Sequence, residues 1–366
     1  MLYSNSDQPR TISLFGATGS IGNSTLDLIR QHKEKFQIKV LTAHKNCSSL
    51  ATLAEEFSPE MICISDESLY TQLTETISNP HIKIVAGEQG LLECASVDCD
   101  LHIAAITGFA GLKPLLKGLE HCRMMGIANK EPIVAAGKFV LDKARNNNVQ
   151  ILPIDSEHNA IFQVFETHNY SAVKNLYITA SGGAFRDLTL EECETKTPSE
   201  ALRHPNWSMG QKITIDSATM MNKALEVIEA HELFNIPFEN IKVLLHPQSL
   251  IHSMVEYNDG SVLSQMGSAD MRTPIAYMLG YPNRIQTSGS VLDFSNSIQF
   301  DVSPLNNKRF PAVNLAINAA RSGLSSRILL NAANEVLVEE FLNGQIAFGR
   351  IVPNLFDILE KYQQKS

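Results

Sequence analysis

Thr11-Ile12-Ser13-Leu14-Phe15-Gly16-Ala17-Thr18-Gly19-Ser20-Ile21-Gly22 is the stretch from which the chain is best read. Residues 11–15 are short, apolar and stopped by glycine, as a buried strand is. Gly16, Gly19 and Gly22 then turn that strand into a helix expected over 23–31. The spacing is GxxGxxG, with the first two glycines one residue further apart than in the commonest dinucleotide fingerprint. Glycine lets backbone approach a pyrophosphate, whose charge the free N–H groups of a helix N-terminus favour. The same turn can be a mere tight connection. Its place between a first strand and a first helix favours the nucleotide reading.

The second strand, expected over 38–43, discriminates between cofactors. An NAD site usually carries Asp or Glu here to accept from the ribose hydroxyls. This chain offers His44-Lys45-Asn46 instead, groups suited to a 2′-phosphate, so NADPH is expected over NADH; the alternative is an ordinary solvated lysine. Strands at 61–64, 82–85, 101–106 and 125–128 alternate with helices at 50–57, 67–77 and 112–121. The strand at 125–128 delivers Asn129-Lys130-Glu131 to its carboxyl end, where ligands of open α/β sheets sit. Residues 1–154 thus read as a Rossmann-like parallel α/β domain.

That domain ends in Pro153-Ile154-Asp155-Ser156-Glu157-His158, after the strand-like run Val149-Gln150-Ile151-Leu152 and before an expected helix. In extended chain, residues two apart point to one side, so Asp155 and Glu157 can aim at one spot. Paired carboxylates repel unless a cation sits between them, and hard oxygen ligands suit Mg²⁺ or Mn²⁺. The plainer reading is acidic residues at a helix N-terminus.

Residues 155–285 read as an α+β catalytic domain. Ser181-Gly182-Gly183 follows a strand expected at 176–180 and can form an anion nest, or simply a turn. Residues 202–210 hold the only Trp, Trp207, among His, Pro, Asn, Ser and Gly, the make-up of a flap that closes over a ligand; the alternative is a core Trp. Ser217 reads as the N-cap of a helix beginning at Ala218. Ser217, Asn222 and Lys223 could hold a phosphate while Glu226 supplies a third metal carboxylate; the alternative is a salt-bridged outer face. Asn258-Asp259-Gly260 reads as a hairpin turn. His246 and His252 read as structural or interface residues. Residues 286–300 form a linker, and 301–366 a C-terminal helical bundle in which Asn331, Asn334 and Glu335 receive no site.

With 366 residues, 44% hydrophobic and 19% charged, the chain has ample core for two or three domains. A net charge of −9 excludes nucleic-acid binding through a basic surface. No apolar run reaches the length of a membrane span, and residues 1–10 lack a secretory hydrophobic segment. Six cysteines without a CxxC pair read as reduced thiols, and a cytoplasmic location is expected.

Taken in order, residues 16–22, Asn129-Lys130-Glu131, Asp155-Ser156-Glu157, Ser181-Gly182-Gly183, 204–210 and 216–226 resemble the 1-deoxy-D-xylulose 5-phosphate reductoisomerase family over nearly the whole chain. The resemblance implies an NADPH- and metal-dependent enzyme that rearranges and reduces a keto-sugar phosphate. It implies Mn²⁺, Mg²⁺ or Co²⁺ on Asp155, Glu157 and Glu226, which with Lys130 are the expected catalytic residues. Substrate contacts are implied for Lys130, Ser156, Glu157, Ser181, His204, Ser217, Asn222, Lys223 and Glu226, with Trp207 and Met209 in the flap. Cofactor contacts are implied for Gly16, Thr18, Gly19, Ser20, Ile21, His44, Lys45, Asn46, Asn129, Glu131 and Gly210. A homodimer is also implied. Two departures are His44, where some relatives have glycine, and Ala184, where proline is common. Rival readings are an NADP-dependent semialdehyde dehydrogenase without rearrangement and an inactive NADPH-binding sensor.

Overall fold

The computed structural model describes residues 8–207 and 209–363, which group into two compact units. Ser208 of the expected flap and both chain ends (1–7 and 364–366) lie outside the described residues.

The first unit comprises residues 8–132, 139–155 and 271–288. Its sheet contains β1 (Arg10–Phe15), β2 (Phe36–Ala43), β3 (Met61–Ile64), β4 (Lys83–Ala86), β5 (Cys99–Ala104), β6 (Cys122–Ile127) and β7 (Gln150–Pro153). Their order is β4-β3-β2-β1-β5-β6-β7, every pair parallel. Every residue of β3 is buried, so both faces of the sheet are covered there, which is why these strands read as unbroken apolar runs. The chain winds outward from β1 to β4, then returns to the other side of β1 as β5. That reversal opens the crevice in which doubly wound sheets hold ligands.

The expected domain boundary at 285 does not coincide with the contacts. A helix over Arg272–Gly280, unread in the sequence, groups with the first unit. Arg10 donates from Nη1 to Leu279 O (2.5 Å) and from Nη2 to Tyr281 O (2.9 Å), and the Met278 side chain fills the space beside Gly126. Helices over Gly87–Ala95 and Glu131–Asn146 were likewise unread.

The second unit comprises residues 133–138, 156–270 and 289–363. Its mixed sheet contains β8 (Val173–Ala180), β9 (Ile241–Leu245), β10 (Ile251–Tyr257), β11 (Val262–Met266) and β12 (Ser303–Pro304), in the order β11-β10-β8-β9-β12. The hairpin expected at 258–260 joins β10 to β11, with Gly260 at φ +87°. Helices over Ala312–Arg321, Leu324–Leu342 and Ile351–Gln363 pack on this body, and Leu315, Leu337, Phe341 and Leu355 share one core with Ile178, Met221, Leu225 and Ile228. Each such side chain contributes about 1.5–3 kcal/mol by leaving water, so the C-terminal helices are held mainly by this shared core.

One expectation about the second unit is corrected. Ser217 does not cap a helix that starts at Ala218. It lies in the last turn of a helix over Gln211–Thr219; Met220 then takes the left-handed conformation (φ +65°), and a second helix runs Met221–Phe234. The break falls at a buried Met, where no glycine announces it.

Candidate active site

Asp155 follows β7 and immediately precedes the helix Ser156–Val164, on whose first turn Glu157 sits. Glu226 lies on the Met221–Phe234 helix and is 1% exposed. The two helices are tied by His158, whose Nε2 donates to Glu226 O (2.9 Å). One oxygen each of Asp155, Glu157 and Glu226 falls within a common 4.8 Å. Asp155 owes its place there to the helix it introduces.

The cluster is compensated by lysines. Lys130 Nζ meets Asp155 at 2.6 Å, both side chains nearly buried. Lys223 Nζ lies 2.6 Å from Glu157 Oε1 and 2.5 Å from Glu226 Oε2. Burial alone lowers the pKa of the Lys223 ammonium, but Glu157 and Glu226 outweigh it and hold the group above its usual value. Asn222 Nδ2 donates to Glu226 Oε1 (2.5 Å), and Ser156 Oγ to Glu157 Oε2 (2.5 Å). All-oxygen donors, largely dehydrated and already gripping cations, fit a hard divalent ion. The plainer reading of Asp155 and Glu157 as acidic residues at a helix N-terminus also fits, since Glu157 sits in the first turn of the Ser156–Val164 helix, whereas a solvated outer face does not describe Lys223 and Glu226, both of which are buried.

His158 and Glu229 were missed by the sequence reading. Glu229 Oε2 stands 3.3 Å from His158 Nδ1, both residues buried. The available signal was the His158–Glu229 pair of ionisable residues on helices that bury mostly apolar side chains. A histidine that orients ligand-bearing backbone is typical behind metal sites.

A second grouping surrounds Ser181. His204 Nδ1 accepts from the backbone N–H groups of Asn206 (3.2 Å) and Trp207 (3.0 Å). The proton of the neutral ring is therefore on Nε2, which donates to Ser181 Oγ (3.0 Å). Burial pushes His204 down to about 4, so it is neutral at pH 7. Gly183 N also donates to Ser181 Oγ (3.2 Å), so the hydroxyl hydrogen can point at an anion. Gly183 (φ +70°) abuts the end of the Gln211–Thr219 helix; a Cβ there would meet Ser217 O at 2.6 Å. The flap is anchored by Asn206 Nδ2 on Pro247 O (2.6 Å) and Ser249 Oγ (2.8 Å), and Trp207 faces the His252 ring at 6.1 Å. Met209 is half-buried, and Gly210 introduces the Gln211–Thr219 helix. His246 is structural: its Nδ1 donates to Asp301 O (2.8 Å) and its Nε2 accepts from the N–H groups of Leu250 and Ile251.

The cofactor candidates other than Gly210 lie in the first unit, near the carboxyl ends of its parallel strands. Gly16 (φ +86°) passes so close to β5 that a Cβ would meet Ala105 O at 2.4 Å. Gly19 is the N-cap of the Ser20–Gln31 helix, with no side-chain cap, leaving the N–H groups near Thr18, Ser20 and Ile21 for an anion. His44, Lys45 and Asn46 are exposed beyond β2. His44 Nδ1 is 2.8 Å from Ser65 Oγ, and the Asn46 side chain caps the Cys47–Phe57 helix by accepting from Ser49 N (3.1 Å). Asn129 Nδ2 clamps the loop after β5 by donating to Ile106 O (2.6 Å) and Gly108 O (2.7 Å), and buried Glu131 opens the Glu131–Asn146 helix.

Family models described as 1-deoxy-D-xylulose 5-phosphate reductoisomerase match residues 12–137, and those described as its C-terminal domain match 151–234 and 266–366. The 1-deoxy-D-xylulose 5-phosphate reductoisomerase of Zymomonas mobilis subsp. mobilis is 47% identical over 97% of this chain and 92% of its own. That of Bacillus cereus is 46% identical over 96% and 92%. The solved Zymomonas mobilis structure in complex with NADPH superposes with a TM-score of 0.92 at 46% identity, over 97% of this chain and 92% of that one. A DOX-P reductoisomerase structure in complex with NADPH, fosmidomycin and magnesium gives 0.92 at 42%, over 96% and 89%. With likeness of this degree from end to end, the chain belongs to the 1-deoxy-D-xylulose 5-phosphate reductoisomerase family.

Proposed function

We propose that this protein converts 1-deoxy-D-xylulose 5-phosphate to 2-C-methyl-D-erythritol 4-phosphate with NADPH as reductant and a divalent cation on Asp155, Glu157 and Glu226. The observation that carries the reading is the meeting of these three carboxylates beside two buried lysines. A divalent cation there supplies Lewis acidity to the substrate's carbonyl and neighbouring hydroxyl oxygens, and NADPH supplies the hydride.

This chain's own residues bind, orient and shield. Lys130 stands on Asp155, at the carboxyl side of β6, where it can hold a substrate oxygen as well as its carboxylate. Ser181, His204, Ser217, Asn222 and Lys223 offer donors to the phosphate, a handle remote from the reacting bonds whose binding energy can drive flap closure. Trp207 and Met209 would then exclude water. The residues between 16 and 22, the His44–Asn46 loop, Asn129, Glu131 and Gly210 are assigned to NADPH. The functional division assigned is residues 1–154 for cofactor, 155–285 for metal and substrate, less the Arg272–Gly280 helix that packs in the first unit, a 286–300 linker and a 301–366 helical support.

A homodimer is inferred from family resemblance and supported by exposed Val262 and Leu263 on β11, an edge of the second sheet. A cytoplasmic location agrees with six free cysteines, five of them buried. Among the described residues no helix is long and apolar enough to cross a membrane.

The test is NADPH oxidation with deoxyxylulose phosphate, with and without Mn²⁺, and with product identified by mass and NMR. Metal-dependent formation of the branched tetrol phosphate is expected. Turnover that survives EDTA without rearrangement would point to a semialdehyde dehydrogenase, and NADPH binding without turnover to a sensor.

A further inference from the structure

Asp216 precedes Ser217 on the Gln211–Thr219 helix and is 2% exposed. Its Oδ2 accepts from Lys212 Nζ at 2.7 Å, one turn back on the same helix. Its Oδ1 accepts from Asn334 Nδ2 at 2.8 Å, a contact made by the C-terminal Leu324–Leu342 helix. Asn334 is 0% exposed, and its Oδ1 has no hydrogen-bond partner among the described residues. The unmatched amide oxygen is costly, whereas the amide N–H satisfies a buried carboxylate oxygen that an apolar residue would strand. That pairing alone does not say what the bond positions.

Its geometry does. The Gln211–Thr219 helix follows the flap at Gly210 and ends at Ser217 and the left-handed Met220. The Gly183 backbone lies directly against Ser217 O and Ala218, so the Ser181–Gly183 turn and the end of this helix form one surface. A small rotation of the helix would move Ser217 relative to Ser181. The bond from Asn334 is a charge-assisted one made from outside the helix, and it fixes that rotation.

We propose that Asn334 is a positioning residue for phosphate recognition: through Asp216 it holds the helix carrying Ser217 in register with the Ser181–Gly183 turn. This rests on the assignment of Ser181 and Ser217 to the substrate phosphate. It gives the C-terminal helical segment a part in substrate affinity, although none of its residues is assigned to substrate.

The test compares wild type, Asn334→Leu and the exchange Asp216→Asn/Asn334→Asp, which restores the bond with donor and acceptor reversed. Three constants are measured on the full chain: KM for deoxyxylulose phosphate, Kd for inorganic phosphate and Kd for NADPH. Asn334→Leu should raise the first two by about tenfold and leave the NADPH constant within about twofold, with kcat little changed; the exchange should recover most of the loss. Should Asn334→Leu fail to fold, Asn334→Ser is read on the same criteria. Unchanged phosphate and substrate constants, a parallel loss of NADPH affinity, or an exchange that folds without recovery would each overturn the proposal. Wild type that binds inorganic phosphate at this site but does not turn over deoxyxylulose phosphate would instead sink the proposed reaction, leaving the phosphate constant to test Asn334.

Discussion

Lys223 and Glu226, one helical turn apart, form a buried ion pair at 2.5 Å, and the same ammonium reaches Glu157 at 2.6 Å. Such a pair returns little net stability once both ions are dehydrated, but removing one partner strands the other. Lys223→Ala should therefore destabilise the metal-free protein by about 3–5 kcal/mol. Added Mn²⁺ should narrow that gap, because a cation on Glu157 and Glu226 restores the lost charge. Denaturant melts with and without Mn²⁺ check this; a gap that ignores the metal would count against the site. The folded-state pKa of Lys223 is raised, so its contribution is full below its ordinary value of 10.5 and is lost as pH climbs through the folded value. The alkaline fall in stability should be shallower in Lys223→Ala than in wild type.

Glu226→Gln keeps shape and the Asn222 contact but removes a charge from the cluster. Loss of several kcal/mol of Lewis-acid stabilisation corresponds to a drop in kcat of about a hundredfold or more. The Mn²⁺ affinity, read by electron paramagnetic resonance, should fall as well, whereas NADPH quenching of Trp207 or direct calorimetry should give an unchanged cofactor constant. Normal turnover in this variant would remove Glu226 from the mechanism.

His102 supplies a separate pH dependence. It stacks on Phe15 at 4.3 Å, is 1% exposed, and its Nε2 has no hydrogen-bond partner among the described residues. Burial lowers its pKa from 6.5 to about 3. Between those values the unfolded chain binds the proton and the folded protein does not, so stability falls as pH drops below 6.5. At pH 4 that penalty is about 3 kcal/mol. His102→Leu should remove it, so the variant gains on wild type by about that amount between pH 7 and pH 4. Parallel pH profiles of the two proteins would show that the imidazole charges without cost.

Local pattern made much of this molecule legible. The run from Thr11 to Gly22 announced the first strand, turn and helix because a strand buried on both faces is apolar throughout, Gly16 is forced by close approach to Ala105, and Gly22 by close approach to Ala17. Asp155 and Glu157 stood out as a carboxylate pair, but as extended chain, whereas Glu157 lies in the first turn of the Ser156–Val164 helix. Glu226 could be read as a third carboxylate or as part of an outer face, and the set of three rested on the family resemblance. What escaped was long-range or silent. Met220 breaks a helix without glycine or proline, so Ser217 looked like a start and is an end. The Arg272–Gly280 helix joins the first unit through Arg10 and Gly126, partners more than a hundred residues away. The Asn334–Asp216 bond spans 118 residues, and neither side chain carries a local sign of it.

Of the three side chains after β2, two are already engaged: His44 with Ser65 and Asn46 as a helix cap. Lys45 is exposed on the same loop, so any charge-based choice between the two nicotinamide cofactors falls to it. A phosphate contact from one exposed lysine is worth about 1.4 kcal/mol, or tenfold. Lys45→Ala should raise KM for NADPH by about tenfold while leaving that for NADH near its wild-type value, because NADH has no 2′-phosphate to lose contact with. Lys45→Glu should carry the shift further by repelling the phosphate. Added salt should shrink the wild-type preference and leave the alanine variant almost indifferent, since the contact is screened at the surface. If both cofactors weaken together, Lys45 shapes the loop rather than reading the phosphate, and the preference must arise elsewhere on the sheet edge.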